Sequence, residues 1–177
     1  MKAIRLIGKC LFLSFSMLAL SCSSDDNGGG GGNVPNGTYI KGTVDGTQYV
    51  TYNIQGVSAG IATSFGSGSG RIINVTGSND MDGATSFSIN LIGINAPGEY
   101  PINPDTDSTI AFVTNASGTG VSYDTSNCAG ATGTINITTL NDTKIEGTFA
   151  FTGKEDENCA NSKTVTNGSF RGEFFQN

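Results

Sequence analysis

The side chains that could do chemistry in this sequence are carboxylates, cysteines, tyrosines and hydroxyls, because the chain contains no histidine. That absence excludes Ser/His/Asp and Cys/His nucleophile arrangements and histidine-rich zinc sites. A pair of carboxylates could still serve a glycoside hydrolase. The candidate acids, however, fall in predicted turns, where carboxylates are ordinarily solvated. They are Asp80, Asp82, Asp105, Asp107, Asp142, Glu155, Asp156 and Glu157. The sequence therefore favours a protein that is not an enzyme.

Two short segments place oxygen ligands at alternate positions, as a calcium loop does. Asn79–Gly83 has the sequence NDMDG, and Asp105–Asp107 has the sequence DTD. Neither reproduces the twelve-residue loop that closes with a glutamate, so ordinary Asx turns are the favoured interpretation. We predict no metal ion and no other cofactor.

Two further sets of side chains are candidates for binding or modification. The tyrosines could offer stacking platforms to a sugar or a protein, although packing at the core or its rim is their commoner use. Strand alternation in the first hairpin places Tyr39 and Tyr52 on one face and Tyr49 on the other. The segment Asp107–Thr109 (DST) is similar to the O-glycosylation motif of Bacteroidota, with Ser108 as the acceptor.

Residues 1–21 have the organisation of a secretory signal. A positive region precedes the apolar run Leu11–Leu20, which is about half of the ~20 residues that a membrane-spanning helix needs. The segment LALSC, which ends at Cys22, resembles the lipobox of bacterial lipoproteins, in which the cysteine sulfur is acylated and the cysteine becomes the mature N-terminus. The resemblance implies that Cys22 anchors the protein in membrane lipid.

Residues 22–35 contain a second signal and a tether. The four residues after the cysteine resemble the acidic export signal that carries Bacteroidota lipoproteins to the outer face of the outer membrane; a solvated acidic linker is the alternative. They are Ser23, Ser24, Asp25 and Asp26. Gly28–Gly32 then form a low-complexity run that favours a flexible chain. The thirteen residues Ser23–Pro35 would span ~20 Å on average. We expect a lipid-anchored domain that faces the extracellular side.

Residues 36–177 have the length and composition of a single all-β domain. Their apolar residues are mostly Ile, Val and Phe, which favour strands, and helical periodicity is missing. Without the signal, the chain carries fifteen acidic and six basic residues, because the signal contains three of the nine basic ones. Such a charge balance disfavours nucleic acid as a partner.

Alternating apolar and polar residues predict the strands. The segment Gly133–Gly153 reads as an antiparallel hairpin with one buried face, and Asp45 and Gly46 predict a tight turn between strands Thr38–Val44 and Gln48–Ile54. Further strands are predicted at Arg71–Thr76, Thr85–Ile92, Ile110–Val113, Gly120–Tyr123 and Lys163–Phe175, the last with a bulge at Asn167 and Gly168. About nine or ten short strands would form an antiparallel meander, closed as a β-sandwich or flattened β-barrel.

Three segments resemble an uncharacterised domain family that is common among small surface lipoproteins of Bacteroidota. They are GEYPI (Gly98–Ile102), GTINITTLNDTKIEGTFAF (Gly133–Phe151) and KTVTNGSF (Lys163–Phe170). These motifs consist of turn glycines and inward aromatic residues. The resemblance therefore supports the fold and the location, and it implies no catalytic residues.

The cysteines predict a disulfide. Once Cys10 leaves with the signal and Cys22 takes lipid, Cys128 and Cys159 remain, and the cell surface is an oxidising compartment. Cys128 precedes the predicted hairpin Gly133–Gly153 and Cys159 follows it, so the open end of the hairpin would bring the two thiols together. A structural disulfide is favoured over a redox or metal site, which would need closer spacing or more ligands.

These observations lead to a non-enzymatic, lipid-anchored binding or accessory module at the cell surface, with a protein or glycan as its partner. One alternative is a calycin-like barrel that holds a small apolar ligand in its interior. A surface glycoside hydrolase is the weaker alternative.

Overall fold

A computed structural model describes residues 36–81, 84–115 and 120–175, and it confirms the predicted all-β class. The described residues form thirteen strands and one short 3₁₀ helix, Gly68–Gly70. Within this part of the chain, no helix is long and apolar enough to cross a membrane. The strands are β1 (Tyr39–Val44), β2 (Thr47–Val50), β3 (Asn53–Ile54), β4 (Val57–Ser58), β5 (Ile61–Phe65), β6 (Ile72–Ser78), β7 (Thr85–Ile92), β8 (Gly98–Ile102), β9 (Thr109–Thr114), β10 (Val121–Asp124), β11 (Thr132–Leu140), β12 (Lys144–Glu155) and β13 (Ser162–Glu173).

Eleven of these strands form one antiparallel sheet that curls into a sandwich-like half-barrel. Its order is β2-β1-β13-β12-β10-β9-β7-β6-β5, with β11 and β8 as a branch from β12. The branch arises because β12 pairs with β11 along most of its length and with β10 only through Lys154 and Glu155. At the far edge of the sheet, Ala62 of β5 forms a bridge to Phe174, just beyond β13. The curl thus brings the last strand of the order, β5, back to the end of the third strand, β13. The strands β3 and β4 form a separate two-stranded hairpin.

Five phenylalanine rings fill the centre of the domain. Phe149 lies 5.8 Å from Phe87 and 6.3 Å from Phe170 between ring centroids, and Phe87 lies 5.2 Å from Phe112. Phe151 stacks on Phe149 at 6.2 Å. All five are buried, because each occupies an inward position of its alternating strand. Burial of each ring contributes about 1.5–3 kcal/mol, and tilted or edge-on ring contacts add about 0.5–1.5 kcal/mol.

The structure confirms the predicted hairpins. The strands β11 and β12 pair around the turn at Asn141 and Asp142, and β6 pairs with β7. The turn between β1 and β2 has positive φ angles at Asp45 (46°) and Gly46 (88°), as the Asp-Gly pair predicts. Asp45 also fastens this turn to β13, because its carboxylate accepts hydrogen bonds from Lys163 Nζ at 2.7 Å and from the Thr164 N–H at 3.0 Å.

The predicted bulge in β13 is also confirmed. Gly168 lies opposite Phe149, and Val165 lies opposite Phe151, so Thr166 and Asn167 together face the single residue Ala150. Asn167 adopts a positive φ of 52°. A two-against-one arrangement bends the strand and increases its twist. The bulge therefore helps β13 to follow the curl of the sheet.

A glycine next to the bulge lets an aromatic ring approach the backbone. A Cβ atom at Gly168 would lie 2.5 Å from the carbonyl oxygen of Phe149 and 2.7 Å from its ring. Both distances are shorter than a carbon atom can tolerate. Gly168 is therefore required by the close packing of β13 against β12.

The predicted disulfide is confirmed. Cys128 and Cys159 are joined with their Cα atoms 5.6 Å apart, and the bridge closes a loop with a sequence separation of 31 residues. The β12–β13 loop is held in addition by the Cys159 N–H, which donates to the carbonyl of Glu155 at 2.9 Å. The disulfide links the β10–β11 loop to the β12–β13 loop.

The predicted strand Gln48–Ile54 is wrong in its second half, because β2 ends at Val50. The buried Thr51 explains the break: its Oγ1 accepts a hydrogen bond from the Ile40 N–H and donates one to the Ile40 carbonyl, both at 2.9 Å. The Thr51 N–H still donates to the Ile40 carbonyl at 3.0 Å, so the hydroxyl replaces only the Thr51 carbonyl as the acceptor for the Ile40 N–H. The chain then turns away into β3. The residues of β3 fall within the predicted strand, but its separation from β2 and its pairing with β4 were not predicted.

Two longer strands were also missed as strands. The strand β5 has the sequence IATSF between glycine- and serine-rich flanks and was not predicted, yet all five of its residues pair with β6. The GEYPI segment forms β8, which pairs with β11 on one side. Proline cannot donate to a ladder, so Pro101 suits an edge strand.

We predict that replacement of both bridge cysteines by serine lowers the melting temperature by roughly 10 °C. Closure of a loop of this length stabilises a protein by about 3–4 kcal/mol in the chain-entropy model. Thermal unfolding followed by circular dichroism would measure the shift, with the far-ultraviolet spectrum unchanged at room temperature. Wild-type protein under reducing conditions is the matched control and should melt at the same temperature as the double variant. Free thiols in the purified, unreduced protein would contradict the prediction.

We predict that Gly168→Ala destabilises the domain by about 1–3 kcal/mol, because the new methyl group must displace either the Phe149 ring or the β12 backbone. Denaturant unfolding would measure the change. Gly70→Ala is the matched control, since nothing lies within 4 Å of the Cβ position there. Equal stability of the two variants would show that the ring does not depend on this glycine.

Candidate functional site

The outer face of β11, β12 and β13 presents small polar side chains. On β11, Ile135 and Ile137 point into the core, so Thr134 and Asn136 point outward and are exposed. On β12, the outward position between the two core phenylalanines is Ala150. Strand alternation thus makes one sheet apolar inside and rich in hydroxyl and amide groups outside.

The strand register arranges these side chains in ranks that run across the sheet. One rank consists of three threonines on three neighbouring strands: Thr132, Thr152 and Thr164. A second rank crosses five strands and consists of Glu99, Asn136, Thr148, Ser169 and Lys41. Neighbouring strands lie ~4.8 Å apart, so the second rank is roughly 19 Å long. It has a carboxylate at one end, an ammonium group at the other and uncharged polar groups between them.

A trough of about 540 Å³ follows the second rank. Two features account for its depth. Ala150 leaves space between its larger neighbours, and the bulge at Thr166 and Asn167 moves the β13 backbone out of the regular pleat. A groove of about 260 Å³ adjoins the trough, because both are lined by Thr134 and Ala150. We refer to the two together as the outer trough.

The chemistry of the outer trough is that of a hydrogen-bonding surface. Threonine and serine hydroxyls both donate and accept, and asparagine does the same through its amide. The lining residues with such side chains are Thr132, Thr134, Asn136, Thr148, Thr152, Thr164, Thr166, Asn167 and Ser169. Lys41 and Glu99 supply one charge of each sign, so they contribute no net charge. The trough therefore suits a neutral ligand with many hydroxyl groups.

Charges beside the trough are paired with one another. Lys144 Nζ donates to Glu146 Oε1 at 3.1 Å, and this hydrogen bond lowers the pKa of the Glu146 carboxyl. Arg171 Nε lies 3.6 Å from Glu173 Oε1 and donates a hydrogen bond to the Gly37 carbonyl at 2.9 Å. The Arg171 guanidinium carbon lies over the Tyr39 ring, 5.6 Å from its centroid. These groups border the outer face at the end where the described chain begins.

The described acids considered in the sequence lie in turns and loops, as predicted, except Glu155, which is the last residue of β12 and pairs with Tyr123. Asp80 Oδ1 accepts from the Ala84 N–H at 3.0 Å, and Asn103 Oδ1 accepts from the Asp105 N–H at 2.9 Å, which is the expected Asx turn. Near the disulfide, Glu155 accepts from Asn161, and Asp156 accepts from Asn127. The described residues contain no group of three or more His, Cys, Asp or Glu side chains that could hold a metal ion. Asp82 lies outside the described residues.

The structure gives Ser108 and the tyrosines specific places. Ser108 is only 5% exposed, and its Oγ accepts a hydrogen bond from the Ile92 N–H at 3.0 Å, so a glycan at this oxygen would require the turn to open.

Tyr49 packs on Phe112 at 5.3 Å and therefore faces the core. Tyr39 lies on the outer face beneath Arg171, and the Tyr100 hydroxyl donates to the Ala96 carbonyl at 2.8 Å.

Sequence reasoning missed the outer trough. It identified the alternation that turns Thr134 and Asn136 outward but treated that face as solvated. The available signals were Ala150 among larger outward residues and the bulge at Asn167, and both depend on register with other strands. Cys22 and the export signal, Ser23, Ser24, Asp25 and Asp26, lie outside the described residues.

Comparison with known proteins identifies one family model that covers most of the chain. A family model described as Domain of unknown function (DUF6252) matches residues 36–172, which include twelve complete strands and nearly all of the thirteenth. No curated protein and no solved structure matches the chain. The matched segment covers most of the sequence, including every residue of the outer trough. The chain therefore belongs to the DUF6252 family, whose function is unknown.

Proposed function

We propose that this protein is a non-enzymatic binding module, lipid-anchored at the extracellular face of the outer membrane of a Bacteroidota-type bacterium, and that its outer trough binds a neutral glycan. The observation that carries the proposal is the trough itself: about 540 Å³ of groove lined mainly by uncharged hydroxyl and amide groups. A glycan presents hydroxyls that can both donate to and accept from such groups.

The interior of the domain favours a surface ligand over an enclosed one. The rings of Phe87, Phe112 and Phe149 contact one another where a calycin-like barrel would hold its ligand. Fully buried aliphatic residues surround them, among them Ile89, Leu91 and Ile110. An apolar ligand would have to displace packed side chains, whereas the outer trough is already open.

The charge distribution favours a neutral glycan over an anionic one. Beyond the signal, acidic residues outnumber basic ones by fifteen to six, so an anionic polymer would be repelled at long range. Lys41 is the basic residue of the trough lining, and Glu99 in the same rank offsets its charge. A neutral glycan is not repelled by the acidic surface, and it needs no net positive charge in the trough.

The anchoring part of the proposal rests on the sequence before residue 36. The LALSC segment has the lipobox pattern, and the acidic residues after Cys22 have the pattern of an export signal. A bilayer anchor with more than one acyl chain is stable, because each buried CH₂ adds ~0.8 kcal/mol of membrane affinity. Display at the cell surface would give the trough access to glycans outside the cell.

We predict that wild-type protein labels with palmitate and stays in the membrane fraction, and that Cys22→Ser abolishes both properties, because the acylated sulfur is lost. Metabolic labelling with membrane fractionation would measure this. Cys10→Ser is the matched control and should label normally, since Cys10 leaves with the signal. An unlabelled wild-type protein in the culture medium would contradict the anchor.

We predict that the protein binds neutral oligosaccharides on a glycan array and that Ala150→Trp abolishes the binding, because the indole fills the trough. Thr148→Val removes one hydroxyl at nearly constant shape and should weaken binding by about twofold to tenfold, the value of one hydrogen bond. Titration calorimetry with the best array ligand would measure both variants.

Thr76→Val is the matched control for the trough variants. Thr76 is exposed on β6, away from the trough, so its replacement should leave glycan affinity unchanged. A preference for anionic glycans, binding that survives Ala150→Trp, or no neutral glycan bound at all would contradict the proposed ligand class.

A further inference from the structure

The β3–β4 hairpin exposes two large aliphatic side chains. Ile54 and Val57 are paired across the hairpin and are 52% and 57% exposed. The tight turn between them has positive φ angles at Gln55 (52°) and Gly56 (86°), which hold the tip in a defined shape. The segment Tyr52–Ala59 contains no charged residue. The hairpin is thus an uncharged, apolar projection from an acidic domain.

The apolar surface continues from the hairpin onto the neighbouring strands. A groove of about 250 Å³ beside it has an apolar part, Tyr52, Ala59, Ile61 and Met81, and a polar part that includes Thr76, Ser78, Asp80 and Ser86. Ile61 and Met81 are both more than half exposed. Contiguous exposed apolar residues mark surfaces that meet a partner or a membrane.

The position of the hairpin relative to the start of the domain identifies the occupant. Asn36 forms a parallel bridge with Val57, and its carbonyl accepts a hydrogen bond from the Ser58 N–H at 2.8 Å. The chain therefore enters the domain beside the hairpin. Thirteen residues, Ser23–Pro35, separate this point from Cys22, and a chain of that length reaches at most about 45 Å. An acyl anchor at Cys22 keeps the hairpin end of the domain close to the bilayer.

We propose that the β3–β4 hairpin inserts Ile54 and Val57 into the interfacial region of the bilayer that holds the acyl chains of Cys22. Burial of apolar surface drives the insertion, and the lack of charge in Tyr52–Ala59 removes a desolvation cost. The inference rests on the proposed lipid anchor and adds an orientation to it. The domain stands with the hairpin in the lipid headgroups, and the disulfide end of β13 points away from the membrane.

A single tryptophan can test the insertion, because the chain contains none. The full-length acylated protein with Val57→Trp would be placed in phosphatidylcholine vesicles with or without bromine on the acyl chains. An apolar residue that enters the interface is buried ≈ 5–10 Å into the headgroup and acyl boundary. We therefore expect tryptophan emission to be about twofold or more lower with brominated lipid. Ile54→Trp is a second reporter in case Val57→Trp disturbs folding, which a thermal melt would reveal.

Ala160→Trp is the matched control at the other end of the domain. Ala160 lies just before β13, whereas Arg171, near the end of β13, donates to Gly37 beside the hairpin. The ten residues from Ser162 to Arg171 separate the two ends by roughly 30 Å. We expect no quenching at this position.

The outcomes distinguish the hairpin from the anchor. Mass spectrometry of Cys22 and flotation with the vesicles report on the anchor alone. Flotation with equal emission in both lipids would overturn the hairpin insertion and leave the anchor intact. Blue-shifted emission that bromine does not quench would also overturn it, because a protein partner or a second copy would then cover the hairpin. A protein that lacks acylation would overturn both proposals.

Discussion

The ring of Phe149 packs directly on the backbone of Gly168, and the curl of the sheet depends on that contact. Phe149 is in turn surrounded by Phe87, Phe151 and Phe170, so rings from β7, β12 and β13 meet at one residue. The neighbouring bulge in β13 lets the strand bend around this cluster, and on its other side the same bulge deepens the outer trough. Interior packing and exterior shape are therefore set by the same few residues.

The two ends of the domain differ in chemistry. Near the start of the described chain, the uncharged β3–β4 hairpin projects beside Asn36. At the opposite end, the disulfide Cys128–Cys159 and the ion pair between Lys163 and Asp45 hold the loops together. The outer trough lies on the side of the sheet between these ends. Under the proposed function, such a division would separate attachment, ligand binding and mechanical reinforcement along the strands of one sheet.

Much of the fold is predictable from period-two alternation, because a strand with one buried face must repeat every second residue. This principle predicted β6, β7 and the β11–β12 hairpin, and residue order predicted the disulfide. It failed at Thr51, where a buried hydroxyl replaces one backbone acceptor, and at β5, where the large apolar residues Ile61 and Phe65 are exposed and only Ala62 is buried. Alternation could not predict the outer trough. Asn136, Thr148 and Ser169 become neighbours only through the register of β11, β12 and β13, which alternation within one strand does not determine.

The edge strand β8 has a consequence for a population of these molecules. Proteins tethered to one surface are confined to two dimensions, where neighbouring copies collide far more often than in solution. Free strand edges would then promote lateral sheet-to-sheet polymerisation. At the edge strand β8, Pro101 lacks an N–H to offer to a neighbour, and the exposed Glu99 would face a like charge in an antiparallel encounter. Under the proposed membrane anchoring, the β8 edge would therefore resist edge-to-edge pairing between crowded copies.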